Sequence, residues 1–346
     1  IPHECLYQMK IMGRELTFWR DFERYFEELV ALFPHQKKEL RSLYDYFYKL
    51  YENMILKNEV VAPPTELSRK ESLKNLLKNP LGMMQVLPLM FKNTESIVRK
   101  FIKDPEVMAF FNMLTCTYCY CDAKETPAML SGALFCDNHE GGAFYPSGSP
   151  QMLSNKLERA IEKHGGQMLY RRLVDEILIE NGEAYGVRLA DGTEIRARRL
   201  VASNADLKQT LLGMVGEENL SPHWVERTKA FRYGRSGVLG SVHMALNEAP
   251  DYKSAKHDQD INRTFITVVG VDTPEEMVEH CREAEAGKIP TIPVLFNSCL
   301  SVFDPTYAPP GKHALSAWIF FPKASDLTRE EWREVKRTYN DRVIER

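Results

Sequence analysis

Two dipeptides ten residues apart, Asn181-Gly182 and Asp191-Gly192, constrain this chain more than any other feature. Each lies between short runs in which apolar residues alternate. Asn-Gly or Asp-Gly in that setting marks a two-residue hairpin turn whose backbone needs positive φ. Val174 to Ile179, Ala184 to Leu189 and Thr193 to Ala197 therefore read as antiparallel strands. Before them, Leu153 to His164 reads as a helix closed by Gly165-Gly166. Gln167 to Tyr170 reads as a short strand, and so does Arg199 to Ser203, with Leu200-Val201-Ala202 at its centre. A helix follows, capped by Asn204 or Asp206. Helix, strand, two hairpins, strand and helix make a compact α+β unit.

The period differs on either side of this unit. Residues 15 to 125 read as helical: Phe18, Phe22, Phe26, Leu29 and Val30 recur every three or four residues, as do Leu43, Tyr44, Phe47, Tyr48 and Tyr51. Pro63-Pro64 interrupts the pattern, and Ser68 with Glu71 resembles a capping box. A Met- and Leu-rich stretch from Leu81 to Phe91 follows, then helices over Thr94 to Ile102 and Pro105 to Leu114. Such stripes pack a core, and the excess of Met and aromatic residues also suits an adaptable wall for a large apolar ligand. Residues 235 to 320 read as β-rich, with strands over Val238 to Leu246, Arg263 to Val269, Val294 to Ser301 and Ala314 to Phe320.

Composition narrows the function classes. The 45 basic and 48 acidic residues nearly cancel to a net charge of −3, and no dense basic patch stands out, which argues against nucleic acid as the partner. No apolar run approaches the roughly 20 residues that a bilayer span needs. The start, Ile1-Pro2-His3-Glu4-Cys5, does not read as a signal peptide, so the seven cysteines are expected to be reduced thiols in the cytoplasm. Cys116, Cys119 and Cys121 contain one C-x-x-C without a second pair at zinc spacing, so they read as half-buried thiols and no metal ligand is assigned. Arg329 to Arg346 reads as an unfinished helix, and the chain is expected to be a piece of a longer protein.

Three stretches are more specific. The first is His139-Glu140-Gly141-Gly142-Ala143-Phe144-Tyr145-Pro146-Ser147-Gly148-Ser149, running into the helix at Leu153. The second runs from His164-Gly165-Gly166 through Val174 and the Asp191-Gly192 hairpin to Ser203-Asn204-Ala205. The third is Ser301 to His313, with Asp304-Pro305 and Ala308-Pro309-Pro310-Gly311 inside it. In this order they resemble the central portion of the phytoene desaturase, carotenoid isomerase and retinol saturase group of FAD-dependent oxidoreductases. That resemblance implies an α+β fold: a helical subdomain and a mixed or antiparallel β-sheet form a substrate domain, beside part of a glutathione-reductase-like FAD-binding domain. The corresponding divisions are 1–125 for the helical part, 126–230 for the inner FAD domain, 231–325 for the sheet, and 326–346 for a helix leading to a missing C-terminal region.

The resemblance also implies roles. Val174 would lie against the adenine of FAD, with Gly141, Gly142, Gly148, Ser203, Asn204 and Ala205 beside the cofactor. His139, Phe144, Tyr145 and His243 would face the substrate. Read without the resemblance, Val174 is equally a core valine and Gly148 a turn glycine. His139 with Glu140 then reads as a surface pair on a loop, and His243 as a satisfied sheet histidine. The sequence departs from the group in three ways. It has no G-x-G-x-x-G (Gly234, Gly237 and Gly240 are merely spaced by three), no closing Gly-rich segment, and Ser149 where the group has a second glycine.

FAD is therefore expected in the longer parent and weakly or not at all in this chain alone. The implied function is that of a fragment of an oxidoreductase acting on carbon–carbon double bonds of a long apolar polyene or isoprenoid, by desaturation, saturation or isomerisation. The chain alone is expected to be inactive, and no catalytic residue is assigned. Two alternatives stand beside it: a non-catalytic binder of apolar ligands, and an amine-oxidase-like flavoenzyme. The expected partner is an apolar polyene or lipid-like small molecule. Met83, Met84, Leu87, Leu89, Met90 and Phe91, flanked by Lys78, Lys92, Arg99 and Lys100, suit peripheral contact with a membrane surface by a cytoplasmic protein.

Overall fold

The computed structural model describes residues 2–52, 80, 87–89, 91–231, 238–256 and 259–345. Pro63-Pro64, Ser68, Glu71, Lys78, Met83, Met84, Met90, Gly234 and Gly237 lie outside them. The chain divides into two compact units, Ile1–Met152 with Ser236–Arg346, and Leu153–Arg235.

The first unit opens with strands, not helix. After β1 (Pro2–His3), β2 (Cys5–Ile11) and β3 (Arg14–Trp19) form a hairpin around Met12 and Gly13, whose φ values of 53° and 76° are both left-handed. The expected helical stripe from residue 15 is thus corrected at its start: Phe18 belongs to β3. Helix α1 (Phe22–Leu32) begins where the Asp21 carboxylate accepts from the Arg24 N–H at 2.7 Å. Among the described residues there follow α2 (Lys37–Tyr51), α3 (Thr94–Phe101), α4 (Pro105–Cys119) and α5 (Ser131–Glu140). Asn93 caps α3, and Asp104 with Pro105 starts α4. Their inner faces merge in an aromatic core in which Tyr25, Tyr44, Phe47, Phe111 and Phe135 are fully buried. The short strand β4 (Ala143–Phe144) then pairs with β1.

The second unit holds helix α6 (Gln151–Lys163) and the antiparallel strands β5 (Val174–Glu180), β6 (Glu183–Leu189) and β7 (Glu194–Arg196). Both hairpins form, but only the first as a two-residue turn: Asn181 and Gly182 have φ of 51° and 81°, whereas in the second only Gly192, at 86°, is left-handed, and the Leu189 N–H donates to the Thr193 carbonyl to close a three-residue loop. Gln167 to Tyr170 and Arg199 to Ser203 are irregular, however. A strand exists only through a ladder, and no described strand pairs with either segment, so Leu200 stays 70% exposed. Asp206 caps a wide helical run, Gln209–Val215, by accepting from the Gln209 N–H at 3.0 Å. Helix α7 (Pro222–Ala230) completes the unit. Leu153, Leu157 and Ile161, four residues apart on α6, are 45–60% exposed and form one apolar stripe.

The chain returns to the first unit with β8 (Val238–Leu246), β9 (Ile266–Val269), helix α8 (Pro274–Glu285), β10 (Leu295–Ser298), β11 (His313–Phe321) and helix α9 (Arg329–Glu345). A capping box between Thr273 and Glu276 starts α8. The strands join the opening hairpin in a six-stranded mixed sheet, ordered β3-β2-β9-β10-β11-β8, in which β2 and β9 are parallel. Under β11, Leu315, Ala317 and Ile319 pack with Tyr339 and Val343 of α9. Leu315, Ile319 and Val343 each contribute roughly 1.5–3 kcal/mol when fully buried. The fold class is α+β. No helix among the described residues is long and apolar enough to cross a membrane.

Candidate functional site: a tied turn and an open sheet face

The stretch from His139 to Ser149 is a sequence of backbone instructions. Gly141 keeps a helical φ of −78° at the end of α5, so its lack of a side chain is not needed for φ. Gly142 turns to φ 69°, and a Cβ there would lie 3.0 Å from Arg20 Nε. Phe144, in β4, is 59% exposed, with the Arg20 guanidinium 5.6 Å from its ring centre. Tyr145 turns inward, and its hydroxyl is hydrogen-bonded to that of Tyr307. Burial, then that hydroxyl, pushes the Tyr145 pKa far up. Gly148, at φ 78°, donates its N–H to the Asp304 carboxylate at 2.6 Å. Ser149 holds φ 100°, a conformation L side chains rarely adopt.

Asp304 is the anchor of the third stretch. Buried in the fold, it also accepts from the Thr306 hydroxyl at 2.6 Å and the Thr306 N–H at 3.0 Å. The Thr306 hydroxyl, followed by the Gly148 N–H, holds its carboxyl below the usual carboxylate range. Ser301 Oγ lies 3.0 Å from His313 Nδ1 and accepts from the Ala314 N–H at 3.1 Å, closing the loop. The first and third motifs, separated by 156 residues at the Gly148–Asp304 bond, are thereby one folded piece. Tyr145 and Gly148 were expected from sequence; Asp304 and Tyr307 were not, although the Asp-Pro pair ahead of Ala308-Pro309-Pro310-Gly311 was the available signal.

His139 is no loop residue. It sits in the last turn of α5, stacked on Phe18 at 4.5 Å with Phe22 edge-on at 5.3 Å. Nδ1 lies 3.1 Å from the Arg20 carbonyl. Burial pulls its pKa down to about 4, so the ring is neutral at pH 7 with its proton on Nδ1. With Arg20, Tyr48 and Glu140 it lines a cleft of about 360 Å³.

His243 lies on β8 beside β11. Register pairs Leu239 with Phe320, Ser241 with Trp318 and His243 with Ser316, so these six side chains share one face. The opposite face, through Val242, Met244 and Leu246, packs toward α9. His243 is exposed and doubly held: Nδ1 is 2.8 Å from Ser316 Oγ, and Nε2 is 3.1 Å from Ser241 Oγ. Leu239 and Trp318 are 54% and 37% exposed. Tyr120, a left-handed residue ending α4, lies against Phe320 and Phe296 at the covered end of this face. The result is an aromatic wall with a small polar centre, able to lie flat along an apolar ligand and to orient a proton at the imidazole.

In the second unit, Val174 opens β5, half-buried and paired with Leu189. Ser203, Asn204 and Ala205 are exposed on an irregular segment; Ser203 Oγ is 2.8 Å from Thr210 Oγ1 and accepts from the Ala205 N–H at 3.3 Å. No G-x-G-x-x-G, the motif that holds a pyrophosphate at a helix N-terminus, occurs in the sequence.

No protein-family model matches the chain. Curated relatives do. A chloroplastic prolycopene isomerase from an Oncidium hybrid cultivar is 26% identical over 337 residues, covering 94% of this chain and 52% of the relative. The neurosporene-forming phytoene desaturase of Cereibacter sphaeroides is 27% identical over 219 residues, covering 60% of this chain and 38% of the relative. The chain is similar to the phytoene desaturase and carotenoid isomerase group of oxidoreductases. It spans about half, or less, of the length of these members of the group. Among solved structures, a triple mutant of putrescine oxidase superposes with a TM-score of 0.50 at 11% identity, covering 95% of this chain and 61% of the other, which shows a shared fold.

Proposed function

We propose that this chain is the substrate-binding portion of an oxidoreductase acting on carbon–carbon double bonds of a long apolar polyene, with FAD held jointly with further polypeptide. The observation that carries it is the Gly148–Asp304 bond, reinforced by Tyr145 on Tyr307, which joins two of the stretches that resemble the group. When bound, FAD would supply the hydride or electron traffic. The protein's own part is positional. Leu239, Trp318 and Phe320 give a flat apolar wall, and the imidazole of His243 is fixed by two serine hydroxyls. In this reading Val174, Ser203, Asn204 and Ala205 meet the adenine of the cofactor, and Gly141, Gly142 and Gly148 are cofactor-side residues. Phe144 and Tyr145 of the turn, with His139 at the end of α5, are the substrate-side residues of this reading.

The exposed stripe Leu153, Leu157 and Ile161 supports the reading that more polypeptide covers this unit, because contiguous apolar surface of this kind marks an interface. The seven free thiols suit a reducing compartment such as the cytoplasm.

The test is to purify this chain and the whole reading frame around it, each with FAD supplied, and to record visible absorbance and release of bound polyene into organic solvent. The expected result is a flavin band in the longer protein and none in this chain. Leu157→Glu should strip flavin from the longer protein and leave this chain's circular dichroism unchanged. A colourless longer protein that still extracts polyene would favour the non-catalytic binder, and one that oxidises amines would favour the amine-oxidase-like reading.

A further inference from the structure

A second cleft, of about 680 Å³, lies in the first unit between α4 and α8. His280 of α8 lines it and is 1% exposed. Its Nδ1 lies 2.9 Å from the Ile292 carbonyl oxygen, and its Nε2 has no hydrogen-bond partner. A carbonyl only accepts, so Nδ1 carries the ring proton and Nε2 presents a lone pair. Burial keeps this imidazole neutral, lowering its pKa. Asn112 of α4 lines the same cleft, and its Oδ1 is a second buried acceptor without a partner. A buried acceptor left unmatched is costly, and the two together ask for a donor.

The charges at the rim point the same way. Five carboxylates and two cations, Lys124 and Arg282, line the cleft. Glu276 is engaged by the Asp272 and Thr273 N–H groups, Glu283 by Thr291, and Asp122 by the Lys124 N–H. Glu275 and Glu279, both exposed, are one helical turn apart on α8. Among the described residues no group of three His, Cys, Asp or Glu side chains is placed to hold a metal ion, and a cation that carries its own hydrogen-bond donors would match the two unpartnered acceptors.

We propose that the cleft between α4 and α8 binds a primary amine, its ammonium N–H groups donating to His280 Nε2 and Asn112 Oδ1 with Glu275 and Glu279 balancing the charge. Val278 and Ile292 supply apolar wall for a short carbon tail. This site is independent of the polyene reading.

The test is calorimetry on this chain with n-butylamine, 1-butanol and tetramethylammonium. Saturable binding is expected for n-butylamine alone, since the alcohol lacks the charge and the quaternary ion lacks N–H donors. Asn112→Ala and the surface double variant Glu275→Gln/Glu279→Gln should each weaken it by about tenfold. The ¹⁵N shift of His280 Nε2 should move on saturation. No saturable heat with n-butylamine, equal affinity for tetramethylammonium, or unchanged affinity in the folded double variant would each overturn the proposal.

Discussion

The Gly148 N–H donates to the Asp304 carboxylate at 2.6 Å across 156 residues of sequence. One carboxylate thus stitches the glycine turn to the Asp-Pro loop, and three donors converge on it, the Thr306 hydroxyl and N–H and the Gly148 N–H. The stitch sets where Tyr145 meets Tyr307, so its loss displaces the whole turn.

Asp304→Asn should lower Tm by a few degrees at pH 7, because an amide accepts these bonds less strongly than a carboxylate. The folded pKa of Asp304 lies below its unfolded value. Its contribution is therefore complete above the unfolded pKa of about 4 and is lost as pH falls through the folded value. Thermal melts of wild type and variant should converge in strong acid; a gap that persists there would show that the carboxylate charge is not what matters.

Ser149 and Gly148 make a paired prediction of opposite sign. Ser149 holds φ 100° with its N–H on the Pro146 carbonyl at 3.1 Å, in the place where the group has glycine. Ser149→Gly should relieve strain and stabilise the chain by about 1 kcal/mol. Gly148→Ala should destabilise it, because φ is 78° and the new Cβ would stand 2.9 Å from Met152 Cγ. Denaturant midpoints check both.

What was legible in the sequence depended on how local its cause was. Asn181-Gly182 and Asp191-Gly192 act locally, the first as a two-residue turn and the second within a three-residue loop, and both hairpins form. The β2–β3 hairpin escaped notice because Met12-Gly13 lacks an Asn or Asp, while Phe18 falls by chance in step with Phe22 and Phe26. Arg199 to Ser203 has a strand's composition, yet a strand needs a neighbour that composition does not supply. Tyr145 and Gly148 stood out through their motif. Asp304 did not, because its partner lies far away in sequence. His139 looked like half of an exposed pair, and only packing reveals that Phe18 and Phe22 enclose it.

That enclosure gives His139 a pH signature. Its folded pKa of about 4 lies below the unfolded value of about 6.5, so stability is complete above pH 6.5 and falls as pH drops toward 4. The loss over that interval is on the order of 3 kcal/mol. His139→Phe keeps a ring against Phe18 and removes the titration, so its urea midpoint should fall less steeply over the same range. His3, with a pKa of about 4 for the same reason of burial, keeps some slope in the variant. An unchanged slope would place the acid sensitivity elsewhere.

The open face of β8 and β11 gives the functional prediction. If a polyene lies along Leu239, Trp318 and Phe320, Trp318→Ala removes stacking area that ground state and transition state use equally. In the longer, flavin-loaded protein this should raise KM about tenfold with kcat nearly unchanged. His243→Gln keeps polar contact with Ser316 but loses the fixed ring, and should act mainly on kcat if the imidazole orients a proton. Tm should hold in both variants, since this end of the face is solvent-exposed. Polyene turnover at varied substrate concentration separates the two effects. A Trp318→Ala enzyme with wild-type KM would remove this wall from the substrate path and shift attention to the turn carrying Phe144 and Tyr145.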